Sequence, residues 1–497
     1  MSEVDLDVDI DPEVESPREP RVPFPVWLLA AFICLYIGVF ATLTWRQQSN
    51  YGTFGFDMGI YDQGIWLLSR FREPFVTVRG LNYFGHHVNL ITVLFVPFYW
   101  LGAGPHFLYV VETIALAAGA IPVYLLARDV SDDWLALVPA AAFLLYPAVE
   151  WTNWWHFHPD ALMITPLLFA WWFAKRQKWR WYFVALVLAL LAKEDAALAV
   201  TMMGVVFAIR GERKRGAQTF VLGLVWYLVC IKLIIPIANG GKDPFYEELY
   251  PGFGHSATEI LWNMIRHPSH VWDFAVLPDR LEYYRGLVFP VALLAFLSPL
   301  PLLTAIPQLL ANILSIHQPT HDIHFHYTPV ITVAIFVATI EVFARVARRR
   351  QPWPILLSVV LLVSVAVSNH VDSPSPLGRH LNDTSVWLQD PTPKAAAIKR
   401  ALSQVRPNDK VSASFYMVPQ LSHRTYIYEY PNPFRATNWG VNGEDPPSAD
   451  TVDTLVLDTT LTGDDTYLYS VLVGEGGPFK VVYERDDIVV ARRKAVG

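Results

Sequence analysis

Charged residues and cysteines are scarce in this chain. Only 17% of its 497 residues are charged and 53% are hydrophobic, whereas a soluble globular protein carries about 25% charged residues. This composition argues against a cytosolic enzyme and favours a membrane protein. The two cysteines, Cys34 and Cys230, lie inside apolar runs without a neighbouring His or Cys. They therefore predict neither a disulfide framework nor a thiol nucleophile or metal site.

Several other signatures are missing. The net charge of −7 provides no basic surface for nucleic acid, so no nucleic-acid partner is expected. The first apolar run, residues 24–45, has no small-residue cleavage site and follows an acidic region, which indicates a retained span rather than a signal peptide. Residues 1–23 are rich in Asp and Glu and predict a disordered, solvated tail.

Long apolar runs dominate residues 24–369. A bilayer core of roughly 30 Å requires about 20 apolar residues in a helix, and the chain offers about eleven candidate spans. They cover residues 24–45, 106–127, 133–150, 160–174, 179–193, 195–209, 217–238, 287–301, 302–316, 327–344 and 353–369. The predicted fold class is therefore an α-helical polytopic membrane protein. A shorter run, residues 88–101, contains Pro97 and predicts a re-entrant or interfacial half-helix.

Lysine and arginine collect in three short loops, near residues 175–180, 210–215 and 345–350. Because such loops stay in the cytoplasm, we expect a multi-pass protein of the plasma membrane with these loops inside. The outer segments are then residues 46–105, 151–159, 193–195, 239–286 and 317–326. All fifteen histidines fall outside or at outer span ends, which predicts one polar chamber that opens away from the cytoplasm.

Residues 370–497 return to the composition of a soluble domain. A helical pattern covers residues 394–405. Short strand patterns lie at residues 410–414, 425–428, 454–458, 479–483 and 488–492. They predict a small extracytoplasmic α/β domain. It contains no phosphate loop or nucleophile elbow, so we assign it substrate positioning or support rather than chemistry.

Acidic side chains follow the first span in a stretch rich in glycine and aromatic residues. Asp57 and Asp62 lie here, with Gln63 beside Asp62, and we predict that Asp62 and Gln63 bind substrate. The helical spacing of residues 58–71 predicts a helix along the membrane surface. Partial burial raises the pKa of a carboxylate toward the working pH, so Asp57 is a candidate general base for an acceptor hydroxyl. The alternative is that Asp57 caps the surface helix.

Histidines and tryptophans form two further candidate binding segments. His86 and His87 adjoin the half-helix and suit hydrogen bonding to a phosphate or sugar. The next outer loop combines polar side chains with indole rings, which pack against sugar faces. Its candidate residues are Trp154, Trp155, His156, His158 and Asp160. The two histidines and the aspartate of this loop could also hold a divalent ion, and an interfacial tryptophan belt is the alternative.

Three charged residues, Lys193, Glu194 and Asp195, stand between two apolar runs. Charges at a membrane edge are costly unless they pair or face a water-filled cavity. Lys193 is therefore predicted to neutralise a phosphate while Glu194 or Asp195 assists, and the alternative is a turn with an internal Lys–Glu pair. In a later histidine-rich segment, His324 and His326 are candidate phosphate donors near the start of a span, where the helix dipole favours an anion.

These motifs resemble a family of uncharacterised bacterial and archaeal polytopic membrane proteins that is usually grouped with the GT-C glycosyltransferases. The resemblance covers residues 25–345. It rests on Phe56-Asp57-Met-Gly-Ile-Tyr-Asp62-Gln63, Phe84-Gly-His86-His87, Ala120-Ile-Pro-Val-Tyr-Leu-Leu-Ala127-Arg128, His158-Pro-Asp160 and Lys193-Glu194-Asp195.

The resemblance implies a GT-C-like enzyme that transfers a hexose or pentose from a polyprenyl-phosphate-linked donor. The acceptor would be a cell-envelope glycan, lipid or protein on the extracytoplasmic face. Asp57 stands where such enzymes carry a catalytic aspartate, and Lys193, with His86 and His324 or His326, would neutralise the donor phosphate. The first outer loop lacks an Asp-x-Asp pair, so no residue is assigned as a metal ligand and a divalent metal is only a candidate cofactor.

Two other classes of function are compatible with the same residues. A transporter or flippase of lipid-linked glycans would distribute polar residues through the membrane depth, whereas here they crowd toward one side. A non-catalytic envelope-assembly protein would act through its outer domain and would tolerate substitution of Asp57.

Overall fold

The computed structural model describes residues 22–242, 248–349, 351–379, 387, 391–440 and 444–495. The predicted acidic tail therefore lies almost wholly outside the described residues. The helical part of the chain runs from Phe24 to Asp372 and a five-stranded sheet lies between Val411 and Arg493, which places a helical region before a small mixed region, as the composition predicts.

The helices of the first region differ widely in length. In chain order they are α1 (Phe24–Ser49), α2 (Ile60–Ser69), α3 (Tyr83–His86), α4 (Val96–Trp100), α5 (Pro105–Ala118), α6 (Ala120–Arg128), α7 (Asp133–Leu144), α8 (Pro147–Trp154), α9 (Ile164–Lys175), α10 (Trp179–Leu190), α11 (Ala196–Ile209), α12 (Arg213–Val229), α13 (Ile235–Ala238), α14 (Ala257–Arg266), α15 (Pro268–Ala275), α16 (Pro278–Val288), α17 (Ile306–Leu314), α18 (Pro329–Ala347) and α19 (Trp353–Asp372). Many begin with proline in the first turn, where its missing N–H group is tolerated.

Within the described residues, five helices are long and apolar enough to cross a membrane. They are Phe24–Ser49, Pro105–Arg128, Arg213–Ala238, Pro329–Ala347 and Trp353–Asp372. The pair α7 and α8 adds a sixth if it counts as one span bent by 44°. The protein is thus a helical membrane protein, while the predicted number of about eleven spans stays a prediction.

The remaining candidate spans are short or interrupted. Helices α10 and α11 are shorter apolar helices, and residues 289–305 form 3-10 turns around Ala292 and Leu293, which have positive φ angles of 52° and 59°. Residues Leu90–Trp100 likewise form a short apolar helix, as predicted for the half-helix. Such irregular backbone is tolerated at membrane depth where surrounding protein or water satisfies it.

The three basic loops come together at one end of the helix bundle. Arg210 pairs with Glu341 of α18 at 2.5 Å, and Gln177 donates a hydrogen bond to Glu212 at 3.3 Å. Lys175 donates to the carbonyl of Leu126 at 3.1 Å. These contacts support the prediction that the three loops share one side of the membrane.

The C-terminal region contains a mixed sheet with strand order β4-β3-β5-β7-β6. After the two-residue hairpin β1 (Phe75–Val76) and β2 (Leu81–Asn82), the strands are β3 (Val411–Ala413), β4 (Ile427–Glu429), β5 (Thr454–Asp458), β6 (Phe479–Arg485) and β7 (Ile488–Arg493). β3 pairs in parallel with β4 and β5, and β7 pairs antiparallel with β5 and β6. Helices α20 (Ala395–Leu402) and α21 (Thr466–Val473) accompany the sheet. The five predicted strands and the predicted helix are confirmed within a few residues.

This domain packs on the loop that follows the first span. Thr77 donates to the carbonyl of Ile427 at 2.7 Å and accepts from the Ile427 N–H at 3.0 Å. Arg79 donates to the carbonyls of Asn438 and Gly440. Most of α2 is buried, and its polar residues Asp62 and Gln63 contact the C-terminal domain. The placement of residues 58–71 along the membrane surface stays a prediction.

Candidate active site

Asp57 and His158 meet at the opposite end of the bundle from the basic loops. Asp57 lies in a π-helical turn, Gly55–Gly59, and its Oδ1 is 3.6 Å from Nε2 of His158. The His158 ring stacks on the His326 ring, with centroids 3.5 Å apart. The Asp57 side chain is 21% exposed and that of His158 only 3%, so Asp57 is the member of this group that a substrate can reach.

The pKa of Asp57 differs from the sequence expectation. Burial raises it, but the nearby imidazole of His158, with smaller effects of His156 and His317, outweighs burial and places the pKa below its usual value. The prediction that burial tunes Asp57 upward is therefore wrong, because nearby imidazoles stabilise the carboxylate. Asp57 is ionised at neutral pH.

Lys193 forms a second charged group in the link between α10 and α11. Its Nζ is 2.9 Å from Oδ2 of Asp160 and 3.4 Å from Oδ2 of Asp195, and it lies over the ring of Tyr327 at 5.9 Å. Lys193 and Asp160 are almost fully buried, whereas the Asp195 side chain is 34% exposed. Since an ammonium has three N–H donors, two carboxylates leave one donor for a ligand.

Glu194 binds the start of the half-helix. It accepts from the Val88 N–H at 2.9 Å and lies 2.7 Å from Nδ1 of His87. Because both carboxylate oxygens have these partners, the geometry suits Glu194 to positioning. Of the two predicted helpers, Asp195 is the one that borders a small cavity, together with Asp160, Gln308 and Tyr327.

Three of the predicted binding histidines, His86, His156 and His326, have lowered pKa values. Burial lowers the pKa of His86 and of His326 well below the usual value, and it lowers that of His156 to about 4. His156 is also in contact with the Tyr109 hydroxyl at 2.9 Å. These pKa values favour neutral rings at pH 7, which contribute hydrogen bonds rather than charge. The role of His86 and His326 toward the donor phosphate stays a prediction.

The tryptophan segment, with Trp154 and Trp155, lies beside His156 and His324. The Trp155 ring packs edge-on against the Phe325 ring, with their centroids 4.3 Å apart. The ring centroids of Trp154 and Trp155 are 5.6 Å apart. His324 contacts the ring of Trp151 at 4.4 Å and pairs with Asp322 at 2.5 Å. The structure thus places His324 with the aromatic residues and His326 with His158.

Asp62 and Gln63 are removed from the other predicted binding residues. Asp62 is fully buried, accepts from the Tyr99 hydroxyl at 2.6 Å and from Ser422, and lies 3.1 Å from Nε2 of His423. Gln63 donates to the carbonyls of Arg424 and Thr425. These contacts attach the C-terminal domain to α2, and substrate binding by Asp62 and Gln63 stays a prediction.

The candidate metal ligands do not converge. His156 turns toward Tyr109, His158 toward Asp57 and Asp160 toward Lys193. In the part of the chain that the structure describes, no group of three or more His, Cys, Asp or Glu side chains has a geometry that could hold a metal ion.

Two residues near Asp57 are absent from the sequence-based set. His317 contributes to the low pKa of Asp57 through its charge, and Glu429 reaches the site from strand β4. A methyl group at Gly55 would lie 2.8 Å from Oε2 of Glu429. Gly55, directly before Phe56 and Asp57, was the available signal that another segment approaches this turn closely.

The fold and this site define a polytopic helical membrane protein: a helical bundle with an acidic and histidine-rich site at one end and a small α/β domain against it. The chain belongs to the family described as predicted membrane protein (DUF2079), whose model matches residues 50–490. No curated protein matches the chain.

Solved structures of GT-C glycosyltransferases share the fold. ArnT from Cupriavidus metallidurans in the apo state is similar with a TM-score of 0.58 and 14% identity, over 95% of this chain and 99% of ArnT. The same protein bound to undecaprenyl phosphate gives a TM-score of 0.53 and 14% identity, over 95% of this chain and 98% of ArnT.

Proposed function

We propose that this protein is a membrane glycosyltransferase that moves a hexose or pentose from a polyprenyl-phosphate-linked donor to a cell-envelope acceptor on the extracytoplasmic face. The observation that carries the proposal is the convergence of Asp57, His158, Asp160, Lys193 and His326 from four separate segments at one end of the bundle. The undecaprenyl phosphate bound by ArnT, which shares the fold, supports the donor class.

The chemistry assigned to Asp57 is proton acceptance. As the acceptor oxygen bonds to the anomeric carbon, Asp57 takes the hydroxyl proton. The bond between that carbon and the phosphate oxygen breaks, and its electron pair leaves with the polyprenyl phosphate. His158 holds Asp57 in its ionised form. Because the low pKa makes Asp57 a weak base, its orientation toward the acceptor must contribute much of the effect.

Lys193 is assigned to the leaving phosphate. Its third N–H donor can bind a phosphate oxygen, while Asp160 and Asp195 fix its position at 2.9 and 3.4 Å. Preorganised donors of this kind stabilise charge that develops during bond cleavage. The neutral His326, which stacks on His158, can add a hydrogen bond to the substrate.

The crowding of these groups at one end of the bundle favours an enzyme over a transporter. A pathway for a lipid-linked glycan would require polar groups along the membrane depth. The opposite end instead holds partly exposed ion pairs such as Arg210–Glu341.

The test measures release of polyprenyl phosphate from undecaprenyl-phosphate-linked hexoses and pentoses in the presence of cell-envelope acceptors. Wild type is compared with Asp57→Asn and with Asp273→Asn, an exposed aspartate of α15. We expect Asp57→Asn to lower the rate about 100-fold or more, as for loss of a general base, and Asp273→Asn to match wild type. Equal rates for wild type and Asp57→Asn would remove Asp57 from this role, and release from none of the donors by wild type would contradict the transferase.

A further inference from the structure

The C-terminal domain places a carboxyl group directly against the turn that carries Asp57. Glu429 is the last residue of β4. Its Oε2 atom is buried and, among the residues that the structure describes, has no hydrogen-bond partner. Its carboxyl accepts a hydrogen bond from the backbone of Phe56, the neighbour of Asp57. A buried oxygen without a partner costs free energy unless a ligand satisfies it.

The approach of Glu429 to this turn is rigid. A methyl group at Gly55 would lie 2.7 Å from Cβ of Val418 and 2.8 Å from Oε2 of Glu429, so only glycine allows the two segments to meet. Strand β4 is held by Thr77, which binds both the N–H and the carbonyl of Ile427, two residues before Glu429. The position of the carboxyl thus follows from the packing of the domain and not from a mobile loop.

Asp57 and Glu429 are in opposite electrostatic situations. Burial, with the charge of Asp57, raises the pKa of Glu429 to about 7, against the effect of the Phe56 hydrogen bond. The Asp57 carboxylate is stabilised mainly by the nearby His158 imidazole. The remaining charged group at this turn, Arg79, lies over the Phe56 ring at 5.6 Å and is bound to backbone carbonyls. Two carboxyl groups with separated pKa values commonly divide the acidic and basic roles of one site.

We propose that Glu429 is a substrate-binding residue of the transferase and that, as a neutral carboxylic acid, it donates a hydrogen bond to a hydroxyl of the donor sugar beside Asp57. This inference rests on the proposed function. It gives the C-terminal domain a direct contact with the sugar, beyond the support predicted from its sequence. Sugar hydroxyls are suitable partners because they accept and donate, and hydrogen bonds to them can strengthen in the transition state.

The experiment compares Glu429→Gln, Glu429→Ala and Glu484→Gln in the polyprenyl phosphate release assay, over a range of pH. Glutamine keeps a donor in the place of the neutral acid, whereas alanine removes it. Glu484 is an exposed residue of β6 and serves as the matched control. We expect wild-type kcat/KM to fall as pH rises through about 7, because ionised Glu429 no longer donates and repels Asp57.

Glu429→Gln should retain activity within about threefold of wild type at acidic pH and should lose this alkaline decline. Glu429→Ala should raise KM by about tenfold, as for loss of one hydrogen bond. Alanine and glutamine variants that are equally inactive would show that the ionised form is required and would overturn the proposal. Variants that match wild type in both KM and pH profile would also overturn it.

A second readout does not depend on turnover. Wild type should show the infrared band of the protonated Glu429 carboxyl below about pH 7. The spectrum of Glu429→Gln should lack this band. If the band persists in Glu429→Gln, it belongs to another carboxyl group, and this result would contradict a neutral Glu429. If wild type releases no polyprenyl phosphate from any donor, the proposed function fails and this role with it. An active wild type with unaffected Glu429 variants overturns the role of Glu429 alone.

Discussion

The two ends of the helix bundle use charge in different ways. At one end, Lys193 and Asp160 are almost fully buried and bind each other at 2.9 Å. At the other, Arg210 and Glu341 bind each other at 2.5 Å but remain 29% and 31% exposed. Burying an ion pair carries a large desolvation cost, whereas an exposed pair contributes little in either direction. Charge that is kept in a costly place indicates a functional requirement.

The largest expected effect is that of Lys193→Met. Removing the Lys193 ammonium leaves the buried carboxylate of Asp160 without its ion-pair partner at 2.9 Å. Breaking a buried pair in this way costs about 3–5 kcal/mol. The midpoint of thermal unfolding in detergent should fall strongly for Lys193→Met and hardly at all for Lys214→Met, an exposed lysine at the opposite end. Similar midpoints for the two variants would contradict the difference between the ends.

An intermediate effect is expected for Asp62→Asn. Its carboxylate holds Tyr99, Ser422 and His423, and hydrogen bonds to a buried charge contribute about 2 kcal/mol each. Hydrogen exchange in residues 421–429 should accelerate in the variant, because the C-terminal domain loses a contact with α2. Unchanged exchange there would show that Asp62 does not hold the domain.

The same contact has a predictable pH dependence. Burial lowers the pKa of His423, but the charge and hydrogen bond of Asp62 outweigh it and raise the pKa above the usual value. The pair therefore stabilises the contact fully at pH values below the unfolded pKa of His, about 6.5, and loses this contribution as pH rises through the folded pKa. Exchange in residues 421–429 should increase with pH beyond its intrinsic rate in wild type, and Asp62→Asn should abolish this extra dependence.

The smallest effect is expected for Arg210→Gln. The Arg210–Glu341 pair is about one-third exposed, so its loss should change the free energy of unfolding by less than about 1 kcal/mol. Polyprenyl phosphate release should stay at the wild-type rate. A loss of stability as large as that of Lys193→Met would show that the two ends do not differ as described.

Patterns within one segment were predictable, whereas partners from distant segments were not. The strand at 454–458 and the helix at 394–405 follow from local periodicity, and the structure has them at Thr454–Asp458 and Ala395–Leu402. The contact between Lys193 and Asp160 agrees with the predicted gathering of polar residues at one end of the spans. One physical rule, either periodicity or membrane depth, is sufficient to predict each of these features.

Such rules do not predict the environments of three carboxyl groups, those of Asp57, Asp62 and Glu429. The pKa of Asp57 is set by His158, and the burial of Asp62 by Ser422 and His423. Glu429 reaches the site because β4 pairs with Thr77. Each of these outcomes depends on packing between segments far apart in the chain, for which a single sequence carries only faint signs such as Gly55.

The central claim, that the acid-and-histidine site and the C-terminal domain share the extracytoplasmic side, is tested most directly by labelling intact cells with a membrane-impermeant maleimide. The background variant lacks Cys34 and Cys230. Single cysteines are then introduced at three exposed positions: Ile316→Cys near the site, Leu461→Cys in the C-terminal domain and Lys214→Cys at the opposite end of the bundle. We predict labelling of Ile316→Cys and Leu461→Cys in intact cells and of Lys214→Cys only after permeabilisation. Labelling of Lys214→Cys alone, or of Ile316→Cys and Leu461→Cys from opposite sides, would contradict the account.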